Sequence, residues 1–127
     1  MFTDDEKLVH QELTYKLIGL AMEVHKSLGH GFLEKVYENA LMVMLSKDKT
    51  PAVQQAQIPV YFMGEIVGEY YADILVDDKV ILELKATENI AAAHKAQTLN
   101  YLKATGLKVA LILNFGKSRL EYERLVM

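Results

Sequence analysis

Between Tyr70 and Ala86 the chain reads YYADILVDDKVILELKA, two apolar runs joined by a polar turn. Their β-branched and aromatic content predicts a pair of strands. Yet Asp73 interrupts the first run, and Glu83 and Lys85 interrupt the second, where apolar neighbours carry the backbone into a core. Burying an isolated charge costs several kcal/mol, roughly, so groups in such places pair, shift their pKa or bind a metal. That requirement constrains the fold through the strand register. Side chains alternate along a strand, so Glu83 and Lys85 share one face while Leu82, Leu84 and Ala86 take the other. A two-residue turn at Asp77–Asp78 sets Asp73 opposite Leu82. A three-residue loop, Asp77 to Lys79, or an equivalent bulge sets it opposite Glu83 and gathers the charges, and this is the expected register.

The remaining elements follow from periodicity. Thr3 with Glu6 forms a capping-box pattern, and Leu13, Leu17, Leu20, Val24 and Leu28 recur at helical spacing until Gly29 and Gly31. Leu33, Val36, Tyr37, Ala40, Leu41, Met44 and Leu45 predict a second helix with an apolar stripe. Val53 to Phe62, Ile66 to Val76 and Lys79 to Ala86 read as an antiparallel meander. Asn89 to Thr105 predicts a third helix, with His94, Gln97 and Tyr101 on a face toward the sheet and Leu99 and Leu102 on a second buried side. Val109 to Phe115 has the continuous apolarity of a strand covered on both faces, and Arg119 to Val126 reads as a more exposed last strand. The order ααβββαββ, with no repeat or linker, implies a single α/β domain over residues 1–127 in which helices pack on one mixed sheet.

Composition narrows the chemistry. The chain has no cysteine, which excludes thiolate nucleophiles and zinc-thiolate sites and leaves oxygen or imidazole to hold any metal. Its net charge of −3 denies it the basic field of a typical nucleic-acid binder. The charges are uneven: 8 basic and 15 acidic residues up to Ala93, against 6 basic and 2 acidic from His94 on. No stretch resembles a signal peptide or approaches the ~18 apolar residues of a membrane span, so a cytoplasmic protein with no membrane partner is expected.

On spacing alone two readings of the charged strands stand. Asp73 and Glu83 on adjacent strands, with the Leu84 carbonyl between Glu83 and Lys85, form an oxygen-rich pocket suited to Mg²⁺ or Mn²⁺. Lys85 beside it can position or deprotonate a water, which together with a cation is equipment for phosphodiester hydrolysis. Alternatively, Lys85 neutralises one carboxylate as a buried ion pair.

Asp73, nine intervening residues and then Glu83-Leu84-Lys85 in consecutive strands resembles the D…ExK signature of the PD-(D/E)XK nuclease superfamily. Gly31-Phe32-Leu33-Glu34-Lys35-Val36-Tyr37 resembles the motif of the GxxExxY proteins within it, and the likeness continues through His25, Leu28-Gly29, His94, Gln97, Tyr101-Leu102 and Asn114-Phe115-Gly116. Met44 and the loop Lys47 to Pro51 depart from the family pattern, away from the proposed site. The resemblance implies a restriction-endonuclease-like αβββαβ core, here with an extra N-terminal helix and a C-terminal strand. It further implies that Glu34, from the leading helix, joins Asp73, Glu83 and the Leu84 carbonyl as a metal ligand. Gln97 and Tyr101 resemble a QxxxY pattern in which the glutamine orients the lysine, matched by Lys85, or a phosphate, with Tyr101 and His94 in support.

Helix-end charge is the plain alternative for Glu34, and a core aromatic that for Tyr101. His25 and His30 flank the turn between the first two helices without metal spacing and read as structural; the methionines read as packing or surface residues. The expected activity is a metal-dependent nuclease acting on DNA ahead of RNA, as a homodimer or beside a partner protein. The alternative is a catalytically silent nuclease-like fold serving as a nucleic-acid-binding or protein-interaction module.

Overall fold

The computed structural model describes residues 9–127, so the capping box expected at Thr3 and Glu6 lies outside the described residues. Helices α1 (Gln11–Leu28) and α2 (Glu34–Lys47) are followed by strands β1 (Ala52–Phe62), β2 (Glu65–Val76) and β3 (Val80–Lys85), helix α3 (Ala92–Thr105), and strands β4 (Val109–Asn114) and β5 (Glu121–Val126). The five strands form one sheet in the order β1-β2-β3-β4-β5. β1, β2 and β3 are antiparallel, β4 lies parallel to β3, and β5 closes the sheet antiparallel to β4. A parallel β3–β4 pair needs a crossover, and α3 supplies it. The result is the mixed-sheet α+β architecture of a restriction-endonuclease-like core.

The helices form two layers around the sheet. Leu17, Ala21 and Val24 of α1 and Tyr37, Leu41 and Leu45 of α2 pack on Ile74, Leu82, Leu84, Leu111 and Leu113, while α3 places Tyr101 and Leu102 against Ala56, Ala72, Ile81 and Ala110 on the other face. β4 is buried along its whole length, as its uninterrupted apolar run requires.

Tyr37 explains the spacing of the Gly31…Tyr37 motif. Its ring is fully buried, stacked on Phe115 with centroids 4.5 Å apart. Its hydroxyl donates to the Gly29 carbonyl at 2.6 Å and accepts from the Phe32 N–H at 3.2 Å. One side chain thereby ties the α1–α2 turn, where Gly29 and Gly31 take φ of 71° and 114°, to the end of β4. His25 stacks on the same Phe115 ring and bonds the Lys117 carbonyl at 2.7 Å through Nε2.

Three expectations need correction. The buried stripe of α2 is Tyr37, Glu38, Leu41 and Leu45, whereas Leu33 is 80% exposed and Val36 is also exposed, because the helix is rotated by about one residue from the apolar pattern. The third helix starts at Ala92 and not Asn89. Its buried residues are Thr98, Tyr101 and Leu102, leaving Gln97 on the exposed side.

The loop before α3 is held by side chains of β4 and β5. Asn114, fully buried, accepts from the Thr87 N–H and donates to the Thr87 carbonyl, both at 3.0 Å, and donates to Glu121 at 3.0 Å. Glu121 in turn accepts the Ile90 N–H at 3.1 Å. Every polar atom of the asparagine amide is thus occupied, which a buried amide requires. Gly116 permits the close approach: a Cβ there would stand 2.2 Å from the Thr87 carbonyl oxygen and 2.4 Å from its nitrogen. Gly116→Ala is therefore expected to lower the thermal midpoint by about 5 °C or more through overpacking. An unchanged melting curve would show that the loop moves aside without cost.

Candidate active site

The β2–β3 connection decides whether the charged residues meet. Val76 pairs with Val80, Leu75 with Ile81 and Ile74 with Leu82, leaving Asp77, Asp78 and Lys79 as a three-residue loop. Asp77 and Asp78 take φ of 52° and 54°, the left-handed conformation that aspartate tolerates better than most residues. The next step of this register sets Asp73 opposite Glu83.

At that step the backbone ladder stops and side chains replace it. The Asp73 N–H donates to Glu83 Oε2 at 2.8 Å, and the Leu84 N–H donates to Asp73 Oδ2 at 2.8 Å. Each carboxylate occupies a main-chain donor of the opposite strand, so neither of these N–H groups is orphaned where β2 leaves β3. In an extended strand the N–H and C=O of one residue point to the same edge, so the Leu84 carbonyl faces this gap too.

The β1–β2 hairpin rolls over at the same place. Gln54 pairs with Ile74 and Ala56 with Ala72, yet the Gln55–Asp73 step between them is missing from the ladder, and Gln55 has φ 53°. Ile74 packs beneath α1 and α2, and Ala72 packs on the α3 side. A non-glycine residue in this conformation costs about 1 kcal/mol or more, and here it accompanies the turning of the hairpin around Asp73.

Burial, followed by the negative charge of Asp73, pushes the Glu83 carboxyl up to about 8; the Asp73 N–H and Lys85 pull the other way. At neutral pH the pair thus retains a proton that two separate surface carboxylates would release. Burial, then Glu83, Asp73 and Tyr70, push the Tyr101 phenol up to about 12, so the hydroxyl stays protonated beside the pair. Among the described residues Lys85 takes part in no salt bridge. The residue is half-buried on the Glu83 face, and the ion-pair reading of this strand lacks its contact.

Glu34 is exposed and makes none of these contacts. The acid that α2 turns toward the site is Glu38, one helical turn on and only 4% exposed. Glu38 bonds Lys35 at 2.9 Å and also accepts from Gln54. The Gln55 amide lies 3.1 and 3.2 Å from its two oxygens and 3.5 Å from Asp73 Oδ1. Gln55 therefore links Glu38 to Asp73. A signal for Glu38 was present: it stands three and seven residues before Leu41 and Leu45, the spacing of a buried face. Gln97 lines a groove beside Tyr101. His94 accepts the Ala91 N–H through Nδ1 at 3.1 Å, a capping bond at the start of α3.

Two facing carboxylates and a carbonyl are a hard-oxygen donor set that fits Mg²⁺ or Mn²⁺, and a cation between them would offset the repulsion that raises Glu83. Among the described residues no three acidic or imidazole side chains converge on one point, so water would have to complete the coordination. A family model for the PD-(D/E)XK nuclease superfamily matches residues 11–125. The chain belongs to this superfamily, whose nucleases generally use divalent metals. No curated protein matches the chain. Among the described residues no helix is long and apolar enough to cross a membrane.

The raised Glu83 carboxyl has a signed effect on stability. Its contribution is fully present below its ordinary value of 4.5 and is lost as the pH rises toward about 8, since over that window the unfolded chain has released a proton that the folded one keeps. In metal-free buffer, thermal midpoints should therefore decline from about pH 5 to about pH 8.5 more steeply for the wild type than for Glu83→Gln. Parallel profiles would place Glu83's proton affinity in the ordinary carboxylate range.

Proposed function

We propose that the protein is a GxxExxY-type, metal-dependent nuclease that hydrolyses phosphodiester bonds of DNA, ahead of RNA, in the cytoplasm. The observation that carries this reading is the reciprocal bonding of Asp73 and Glu83 at the point where β2 and β3 part. Asp73, Glu83 and the Leu84 carbonyl would hold Mg²⁺ or Mn²⁺. The cation, when bound, supplies Lewis-acid polarisation of the phosphoryl group and favours ionisation of the attacking water.

The chain's own residues do the rest. Lys85, on the Glu83 face and outside any described ion pair, orients the attacking water and offsets the negative charge that builds on the phosphoryl oxygens. Glu38, acting through the Gln55 amide, fixes the carboxylate plane of Asp73 from outside the metal site, and α2 contributes this positioning residue in place of the direct ligand that the family likeness implied at Glu34. Gln97 reaches the substrate from the exposed side of α3, with Tyr101 as the protonated wall between it and the acid pair. His94 supports the start of that helix. A domain of this size offers little surface for gripping a duplex, which supports a homodimer or a partner protein as the active assembly.

A second reading has an observation of its own. Glu38 is engaged by Lys35, Gln54 and Gln55, so among the described residues no third carboxylate is free to complete a metal site. That favours a silent nuclease-like module that binds nucleic acid or protein.

Cleavage and metal binding separate the two. Mn²⁺ should raise the thermal midpoint of the wild type, by an amount corresponding to ~2.7 kcal/mol at a hundredfold excess over Kd, and Asp73→Asn should remove most of that rise. Glu38→Gln should reduce it and Glu34→Gln should not. Lys85→Met should keep the metal-induced rise while Mn²⁺-dependent DNA cleavage falls ~100-fold or more. A wild-type protein that cleaves neither DNA nor RNA with any divalent metal decides for the module.

A further inference from the structure

Beside the acid pair, α3 and the β1–β2 hairpin enclose a groove of about 910 Å³. Gln97, Asn100 and Lys103 line one wall at intervals of three residues, so two amides and an ammonium form a row along the exposed side of α3. The opposite wall carries the rings of Tyr61 and Tyr70, 61% and 47% exposed. Tyr101 forms the floor, its ring centroid 5.7 Å from that of Tyr70. Tyr101 shares a buried cluster with Ala72, the neighbour of Asp73, and with Ile81, two residues before Glu83 on the same strand face, and its hydroxyl feels the charge of both acids, so the floor of the groove lies next to the acid pair.

The lining matches a nucleotide group by group. Exposed aromatic rings accept a base face, which every base offers and which is hidden in a duplex. Side-chain amides suit the hydrogen-bonding edges of an unpaired base, and an ammonium suits a phosphate. Gripping a duplex by its backbone requires many cations to displace counterions, whereas the chain carries a net charge of −3 and Lys103 is the single ammonium among the described residues of the groove. We propose that this groove holds an unpaired nucleotide stacked on Tyr70 while the adjoining phosphodiester lies at Asp73 and Glu83, so that the substrate class is single-stranded nucleic acid or a frayed end. This rests on the nuclease reading for the role of the acid pair.

Binding measured without metal tests the groove apart from the chemistry. Fluorescence anisotropy in EDTA would compare labelled oligothymidylate and oligouridylate, a mixed-sequence duplex of the same length, and a strand of the same length built from abasic sites. Single strands should bind at least about tenfold more tightly than the duplex and the abasic strand. Tyr70→Ala should weaken single-strand binding about tenfold, and Tyr70→Phe, which keeps the ring, should not. Circular dichroism of both variants checks that they fold. Equal or tighter binding of the duplex, an abasic strand bound as well as the full one, equal losses in both Tyr70 variants, or no binding to any of these probes would overturn the proposal. Single-strand binding through Tyr70 with no cleavage in Mn²⁺ would sink the nuclease reading alone, whereas duplex cleavage beside an inert groove would sink this one alone.

Discussion

The exchange of main-chain bonds for carboxylate bonds between Asp73 and Glu83 is the constraint on which the architecture turns. A strand leaving its neighbour exposes N–H and C=O groups that must find partners or lose free energy. Here the Asp73 N–H finds Glu83 and the Leu84 N–H finds Asp73, so β2 departs from β3 without orphaned donors. The same departure opens the space between the strands and frees the hairpin to turn over at Gln55. Two acids that would be costly in an ordinary ladder are what make this interruption of the ladder possible.

Much of this was legible because period-2 alternation is a strong geometric rule. Glu83 and Lys85 had to share a face, and once three charges had to be satisfied together the three-residue loop at Asp77–Lys79 was the register that could do it. The order of elements followed from apolar periodicity, and β4 from its unbroken run. The rotation of α2 was not legible. Leu33 and Val36 look like core residues in a helical stripe, yet tertiary packing turns Tyr37 inward to bond Gly29 and stack on Phe115, and this carries Glu38 to the sheet while Glu34 stays in water. An acidic residue beside an apolar stripe reads as a boundary residue unless its partners are known, and those partners, Gln54 and Gln55, come from β1.

The same limit applies to the far side of the site. Asn114 and Gly116 read as a turn, because Asn and Gly make turns. Their larger task is to hold the segment after β3, through Thr87 and Glu121, and it depends on β5 returning beside β4. Lys85 lies between these restraints: β4 fixes its backbone, with the Phe115 N–H donating to the Lys85 carbonyl at 2.8 Å, and Glu83 lies two residues before it on the same face. The ammonium is thus carried by a strand held on the β4 side and opened on the β2 side, which suits the role proposed for it at a phosphate.

Electrostatics then ties occupancy of the site to its protonation. With Glu83 pushed up to about 8 by burial and by Asp73, the pair without a cation holds a proton at neutral pH and carries close to one negative charge instead of two. A divalent cation bound there, as proposed, would have to release that proton, so its affinity would rise with pH until Glu83 is ionised and level off above it. The proton also bears on stability, because without it the buried Glu83 carboxylate faces the half-buried Asp73 carboxylate with Lys85 too far away for an ion pair. Proton and proposed cation would therefore be alternative solutions to one problem, a buried Glu83 charge beside the Asp73 charge. The strand geometry that creates that problem also leaves the Leu84 carbonyl facing the gap, which makes the cation the solution that brings further ligands with it.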